Sequence, residues 1–78
     1  PDYSWPCIIR CAILSHMARA PTLGEIYKLL QDHFPVSFKR NDNAWKNSVR
    51  HYLSATACFI KHPRPLNVPG YGGKWTYD

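Results

Sequence analysis

The stretch 44-AWKNSVRHYLSATACFIKHPRPLNVPGYGGKWTY-77 changes character twice, and those changes decide the fold. Its opening places Trp45, Val49 and Leu53 at i, i+4 and i+8. That spacing predicts a helix over residues 44–55. At about 100° per residue the three apolar side chains fall within about 80° of one another, with Ser48 and Tyr52 on the border. Opposite them lie Asn47, Arg50, His51 and Ser54, at i, i+3, i+4 and i+7. Then "CFIKH" reads as a strand, "PRPLNVPGYGG" as a proline- and glycine-rich hairpin loop, and "KWTY" as the returning strand.

Working towards the N-terminus, "VSFKRNDN" is a polar connector that offers Asp42 or Asn43 as a helix cap. Before it, Leu23, Ile26, Tyr27, Leu30 and Phe34 mark one face of a second helix. Thr22 and Glu25 give that helix a T-x-x-E capping box, and Pro35 ends it, because the residue before proline avoids helical geometry. "ARAPT" breaks helical continuation at Pro21, which suits a turn or a short edge strand. Earlier still, Ser4 caps a first helix that carries Trp5 and Pro6 in its opening turn and runs to about residue 15. Trp5, Ile8, Ile9, Ala12 and Ile13 recur on its inner face.

The order is helix, short strand, helix, helix, strand, long loop, strand. This is α+β, mainly helical: a winged helix-turn-helix of three helices and a small antiparallel sheet with one long hairpin wing. The chain has 78 residues, which allows one domain over 1–78, near the lower limit for a core that folds without staples. Trp45 and Trp75 are expected to be its large anchors. The segment reads as a domain cut from something longer.

Ten Lys and Arg stand against five Asp and Glu, a net charge of +5. Through residue 38, Arg10, Arg19 and Lys28 balance Asp2, Glu25 and Asp32. Between residues 39 and 74, Lys39, Arg40, Lys46, Arg50, Lys61, Arg64 and Lys74 face a single acid, Asp42. A polyanion is the natural partner for such a half, nucleic acid ahead of a membrane surface. No apolar run approaches the roughly 20 residues that span a bilayer. Five scattered acids, and a Ser54–His51 pair with no orienting carboxylate, do not make an active site, so no enzyme is expected. Cys7, Cys11 and Cys58 are odd in number and lack framework spacing, which predicts reduced, mostly buried thiols. Cys7-x-x-x-Cys11 and Cys58-x-x-x-His62 match zinc sites poorly, so neither a metal nor a cofactor is expected.

The polar stripe of the third helix suits the DNA major groove. An Asn amide pairs with both N6 and N7 of adenine, Arg grips guanine edges or phosphates, and His donates to N7 or O4 or lies against a thymine methyl. Asn47, Arg50 and His51 are therefore the candidate base contacts, with Lys46 on the flank where phosphates would run. The dry face docks the helix and the wet face reads. The alternative is a winged-helix protein-interaction module whose basic face meets an acidic partner. A solvated polar face also accounts for such a stripe taken alone.

The residues "DYS", "TLGEIYKLL.DHFP", "AWKNSVRHYLS", "CFIKHPR" and "PGYGGKWT" together resemble the forkhead, or forkhead-box, domain over essentially the whole chain. W-x-N-S-V-R-H followed by C-F-x-K and P-G-x-G-x-x-W is a highly specific combination. The resemblance implies a nuclear, sequence-specific transcription factor. It implies monomeric binding of double-stranded, A/T-rich DNA through helix three, with the wing over 63–74 on the backbone or minor groove. Position by position, it implies base contacts from Asn47 and His51, with Arg50 on a base edge or phosphate. Tyr3 and Ser54 match phosphate ligands, and Lys61 and Trp75 flank the wing. With Lys46, Arg64, Tyr71 and Lys74, these complete the expected backbone set. Co-regulator proteins are expected to engage regions outside this segment.

Four departures from the family pattern stand out. Tyr52 occupies a position usually held by Asn or Ser, and Thr56-Ala57 replaces the usual Asn-Asp pair, so the cation site of some family members is not carried over. In the wing, Tyr71 stands where Lys is common, and Gly73-Lys74 where a Ser-aromatic pair is common. These changes bear on base preference rather than on the fold.

Overall fold

A computed structural model describes residues 4–65, 67 and 73–78. Three helices come first, α1 (Trp5–Ser15), α2 (Leu23–His33) and α3 (Ala44–Ala55). The strands β1 (Phe59–His62) and β2 (Lys74–Tyr77) follow. No helix among the described residues is long and apolar enough to cross a membrane.

Each helix begins where a side-chain oxygen meets orphan amides. The Ser4 hydroxyl accepts from the Cys7 N–H at 3.4 Å, and Pro6 sits in the first turn, where a missing N–H is harmless. For α2 the capping box closes in both directions. Glu25 N–H donates to Thr22 Oγ1 at 3.2 Å, and Thr22 N–H donates to Glu25 Oε1 at 2.9 Å. At the α3 start the two candidates divide the task. Asn43 holds the cap position without a side-chain bond, while Asp42 Oδ1 accepts from the Ala44 N–H at 2.9 Å.

His16 organises the turn between α1 and α2. Its Nδ1 accepts from the Ala18 and Ala20 amides at 3.3 and 3.4 Å, and its Nε2 donates to Glu25 Oε2 at 3.1 Å. Arg19 takes the left-handed conformation there, with φ 52°. The chain then reaches Pro21 and Thr22. The Trp75 N–H donates to the Pro21 carbonyl at 2.8 Å, and Thr22 bridges Lys74. The edge strand expected around Pro21 is thus one bridge long, because proline has no N–H to extend the ladder.

The hairpin pairs Phe59 with Tyr77, Ile60 with Thr76, Lys61 with Trp75 and His62 with Lys74. Strand alternation puts Phe59, Lys61, Trp75 and Tyr77 on one face. Phe59 is buried and Trp75 half-buried there. Gly73 is needed at the return, since a Cβ would collide with the His62 carbonyl. The loop tip, including Tyr71, lies outside the described residues, and so does Tyr3.

One core joins the elements. Ile8, Ile9, Ala12 and Ile13 of α1 meet Ile26 and Leu30 of α2, Trp45, Val49 and Leu53 of α3, and Phe59. Phe38 belongs to it as well, at 3 % exposure, although the connector that carries it reads as polar. Its ring lies 5.4 Å from Trp5, 5.1 Å from Trp45 and 5.5 Å from Phe34. The expected pair of tryptophan anchors is therefore unequal. Trp45 is buried and its indole N–H donates to the Lys39 carbonyl at 2.8 Å, whereas Trp75 is half-buried on the edge of the core. The thiols also depart from expectation. Cys7 is half-buried, but Cys11 and Cys58 are exposed, because Ile8, Ile9, Ala12 and Ile13 take the inner face of α1 and Cys58 sits in the turn before β1.

Candidate nucleic-acid interface

Helix α3 divides as its periodicity predicts. Trp45, Val49 and Leu53 are buried, while Asn47, Arg50, His51 and Ser54 are exposed. The buried side is fixed from two directions, by the Trp45–Lys39 hydrogen bond and by the Tyr27 ring, which meets Trp45 edge-on at 5.4 Å. A helix held this firmly presents its polar stripe as a rigid surface.

The stripe is internally connected. Arg50 Nη2 donates to the Asn47 side-chain oxygen. Its Nη1 donates to the Tyr27 hydroxyl at 3.4 Å, and that hydroxyl in turn donates to the Lys46 carbonyl at 3.4 Å. An amide whose oxygen faces a guanidinium has its flip state chosen. Its nitrogen then points away as a donor, and the oxygen keeps a second lone pair. The spacing of Tyr27 places it on the buried face of α2. It is half-buried, and its polar tip reaches the candidate site. The phenol itself was the available signal, since a buried tyrosine seeks a partner for its hydroxyl.

Lys46 is less free than its flanking position suggests. It is half-buried, its Nζ donates to the Arg40 carbonyl at 3.0 Å, and it lies 5.6 Å from the ring centres of both Tyr27 and Trp45. Two of its three protons remain available for an anion.

Arg50, Ser54, Lys61 and Trp75 line one open cleft of about 500 Å³ between α3, the hairpin and the start of α2. Lys61 is aimed there by strand alternation and stands over its cross-strand partner Trp75 at 6.0 Å. Lys46 lines a separate depression with Arg40 and Tyr27. Arg64 and Lys74 are exposed. The fold therefore gathers four of the expected contacts in one cleft and leaves Asn47 and His51 on the open stripe beside it. Among the described residues no cluster of three His, Cys, Asp or Glu could hold a metal ion.

Tyr52 is half-buried, stacked on Trp5 with ring centres 6.3 Å apart and planes inclined by 18°. Its other neighbour is His51, 5.1 Å away and nearly perpendicular at 83°. Helical spacing places Tyr52 at the border of the dry face, but it does not reveal Trp5 as its partner, because that contact crosses between α1 and α3.

Comparison with known proteins agrees with this architecture. The forkhead domain family matches residues 1–78. Forkhead box protein F1-B of Xenopus laevis and forkhead box protein F1 of Homo sapiens are each 49% identical over all 78 residues. Forkhead box protein I2 of Mus musculus is 45% identical over the same span. The chain covers 21%, 20% and 25% of those proteins, about a fifth to a quarter of their length. The winged helix-turn-helix architecture and a full-length family match thus coincide, and the chain belongs to the forkhead family of winged-helix DNA-binding domains.

Proposed function

We propose that this domain binds double-stranded DNA sequence-specifically, as the reading module of a nuclear transcription regulator. Helix α3 enters the major groove, with Asn47 and His51 on base edges and Arg50 on a base edge or phosphate. Lys46, Ser54, Lys61, Arg64, Lys74 and Trp75 serve the backbone, together with Tyr3 and Tyr71 from outside the described residues. The site is A/T-rich and the domain binds it as a monomer. The observation that carries this reading is the division of α3. Three apolar residues are buried on one side and the Asn47, Arg50, His51, Ser54 stripe is exposed on the other. Asn and Arg there are suited to bidentate readout, and each good pair discriminates by about 1–3 kcal/mol.

Selection from a randomised duplex library, at stated salt, tests the proposal. The expected result is an enriched A/T-containing motif whose enrichment depends on Asn47. An unenriched pool, with tight binding to an acidic protein instead, would point to an interaction module.

A further inference from the structure

We propose that Tyr52, held in place by Trp5, positions His51 for base reading, so that the Trp5–Tyr52 stack is a specificity determinant acting through the imidazole. This rests on α3 being the reading helix.

Adjacent helical residues diverge by about 100°, so their side chains do not ordinarily face each other. Contact between the His51 and Tyr52 rings therefore depends on the rotamers both adopt. Here they meet at 5.1 Å and 83°, a favourable edge-on geometry for aromatic pairs. Tyr52 is not free to turn away. Its ring lies nearly parallel to Trp5 at 6.3 Å and 18°. Trp5 in turn lies 5.4 Å from the buried Phe38. A continuous aromatic path thus leads from the core, through Phe38, Trp5 and Tyr52, to an exposed imidazole on the polar stripe. A solvated His at an exposed helical position would sample its staggered χ1 wells. One leaning on an immobilised phenol ring has fewer available. A small polar residue at position 52 would offer no such wall. Arg50 restrains Asn47 in a comparable way from the other side, so Asn47 and His51 are both restrained before DNA arrives. Preorganisation of that kind removes an ordering cost from binding and narrows the set of bases that fit.

The test combines nuclear magnetic resonance of the free chain with binding measurements. In the wild type, nuclear Overhauser contacts are expected between the ring protons of His51 and Tyr52. Tyr52→Phe should keep those contacts and the base preference, because the ring is retained. Tyr52→Leu should shift the His51 ring protons and reduce discrimination at the base pair that His51→Ala relaxes, by about three- to tenfold. Trp5→Leu should act in the same direction by releasing Tyr52. A folded Tyr52→Leu chain with wild-type His51 shifts and wild-type preference would overturn the proposal. Should Tyr52→Leu fail to fold, absence of the ring contacts in the wild type would overturn it equally, and their presence would support it. If the wild type shows no sequence preference, the DNA reading fails, while the His51 resonances still judge the positioning role.

Discussion

Arg50 donates a hydrogen bond to the side-chain oxygen of Asn47, one turn earlier on the same helix. Two of the three residues expected to read DNA are therefore partners of each other before they meet it, and their substitutions should not act independently. Asn47→Ala is expected to cost roughly 1–3 kcal/mol on the preferred duplex and to relax one base position. In a double-mutant cycle with Arg50→Ala, a coupling of about 0.5–3 kcal/mol is expected, as for residues in direct contact. Arg50→Lys should not recover it, since a point ammonium cannot fork between Tyr27 and Asn47. Equal losses for Asn47→Ala on specific and random duplexes would count against base reading.

Lys46→Ala should weaken binding to all duplexes alike and flatten the salt dependence by about one unit of slope, as for one lost phosphate contact. The Lys46 ammonium also spans the Tyr27 and Trp45 rings and bonds the Arg40 carbonyl. A second effect is therefore expected, a stability loss of about 0.5–1 kcal/mol. Salt titrations and chemical denaturation separate the two, and an unchanged salt slope would remove Lys46 from the backbone contacts.

Phe38→Ala should cost about 3–5 kcal/mol, the range for truncating a buried phenylalanine. Its ring is where Trp5, Phe34 and Trp45 converge, so the loss would loosen the seat of α3 as well as the connector. Small domains carry only about 5–15 kcal/mol in total. Urea melts of Phe38→Ala and Phe38→Leu should rank the alanine variant far lower, and near-equal midpoints would show that the connector is not held by this ring.

Phe38 also marks where the sequence is hard to read. The three helices and both strands follow from period and caps, because each signal lies within a few residues of its own element. Trp45, Val49 and Leu53 are legible as a dry face for the same reason. A single phenylalanine among Val36, Ser37, Lys39 and Arg40 has no period, and its burial is decided by rings from three other elements. The Trp5–Tyr52 stack and the reach of Tyr27 to Arg50 are likewise contacts between helices distant in sequence. The polar stripe was readable from spacing; what restrains its side chains was not.

Glu25 gives the chain a measurable response to acid. The Thr22 backbone N–H, and after it the His16 imidazole, hold its carboxyl below the ordinary glutamate range. A carboxylate with a depressed folded pKa adds stability that is fully present above the unfolded value, about 4.3. That stability is lost as pH falls through the lower folded value. Glu25→Gln preserves a capping-box acceptor but cannot titrate, and it removes a negative charge from the positive end of α2. At neutral pH the wild type should therefore melt slightly higher than Glu25→Gln, and the difference should shrink as pH falls below about 4. The Glu25 side chain is 50% exposed, so solvent screening keeps the difference small. Thermal melts in steps from neutral pH to about 3 provide the check; a difference that stays constant across that range would mean that Glu25 is not stabilised by its charge.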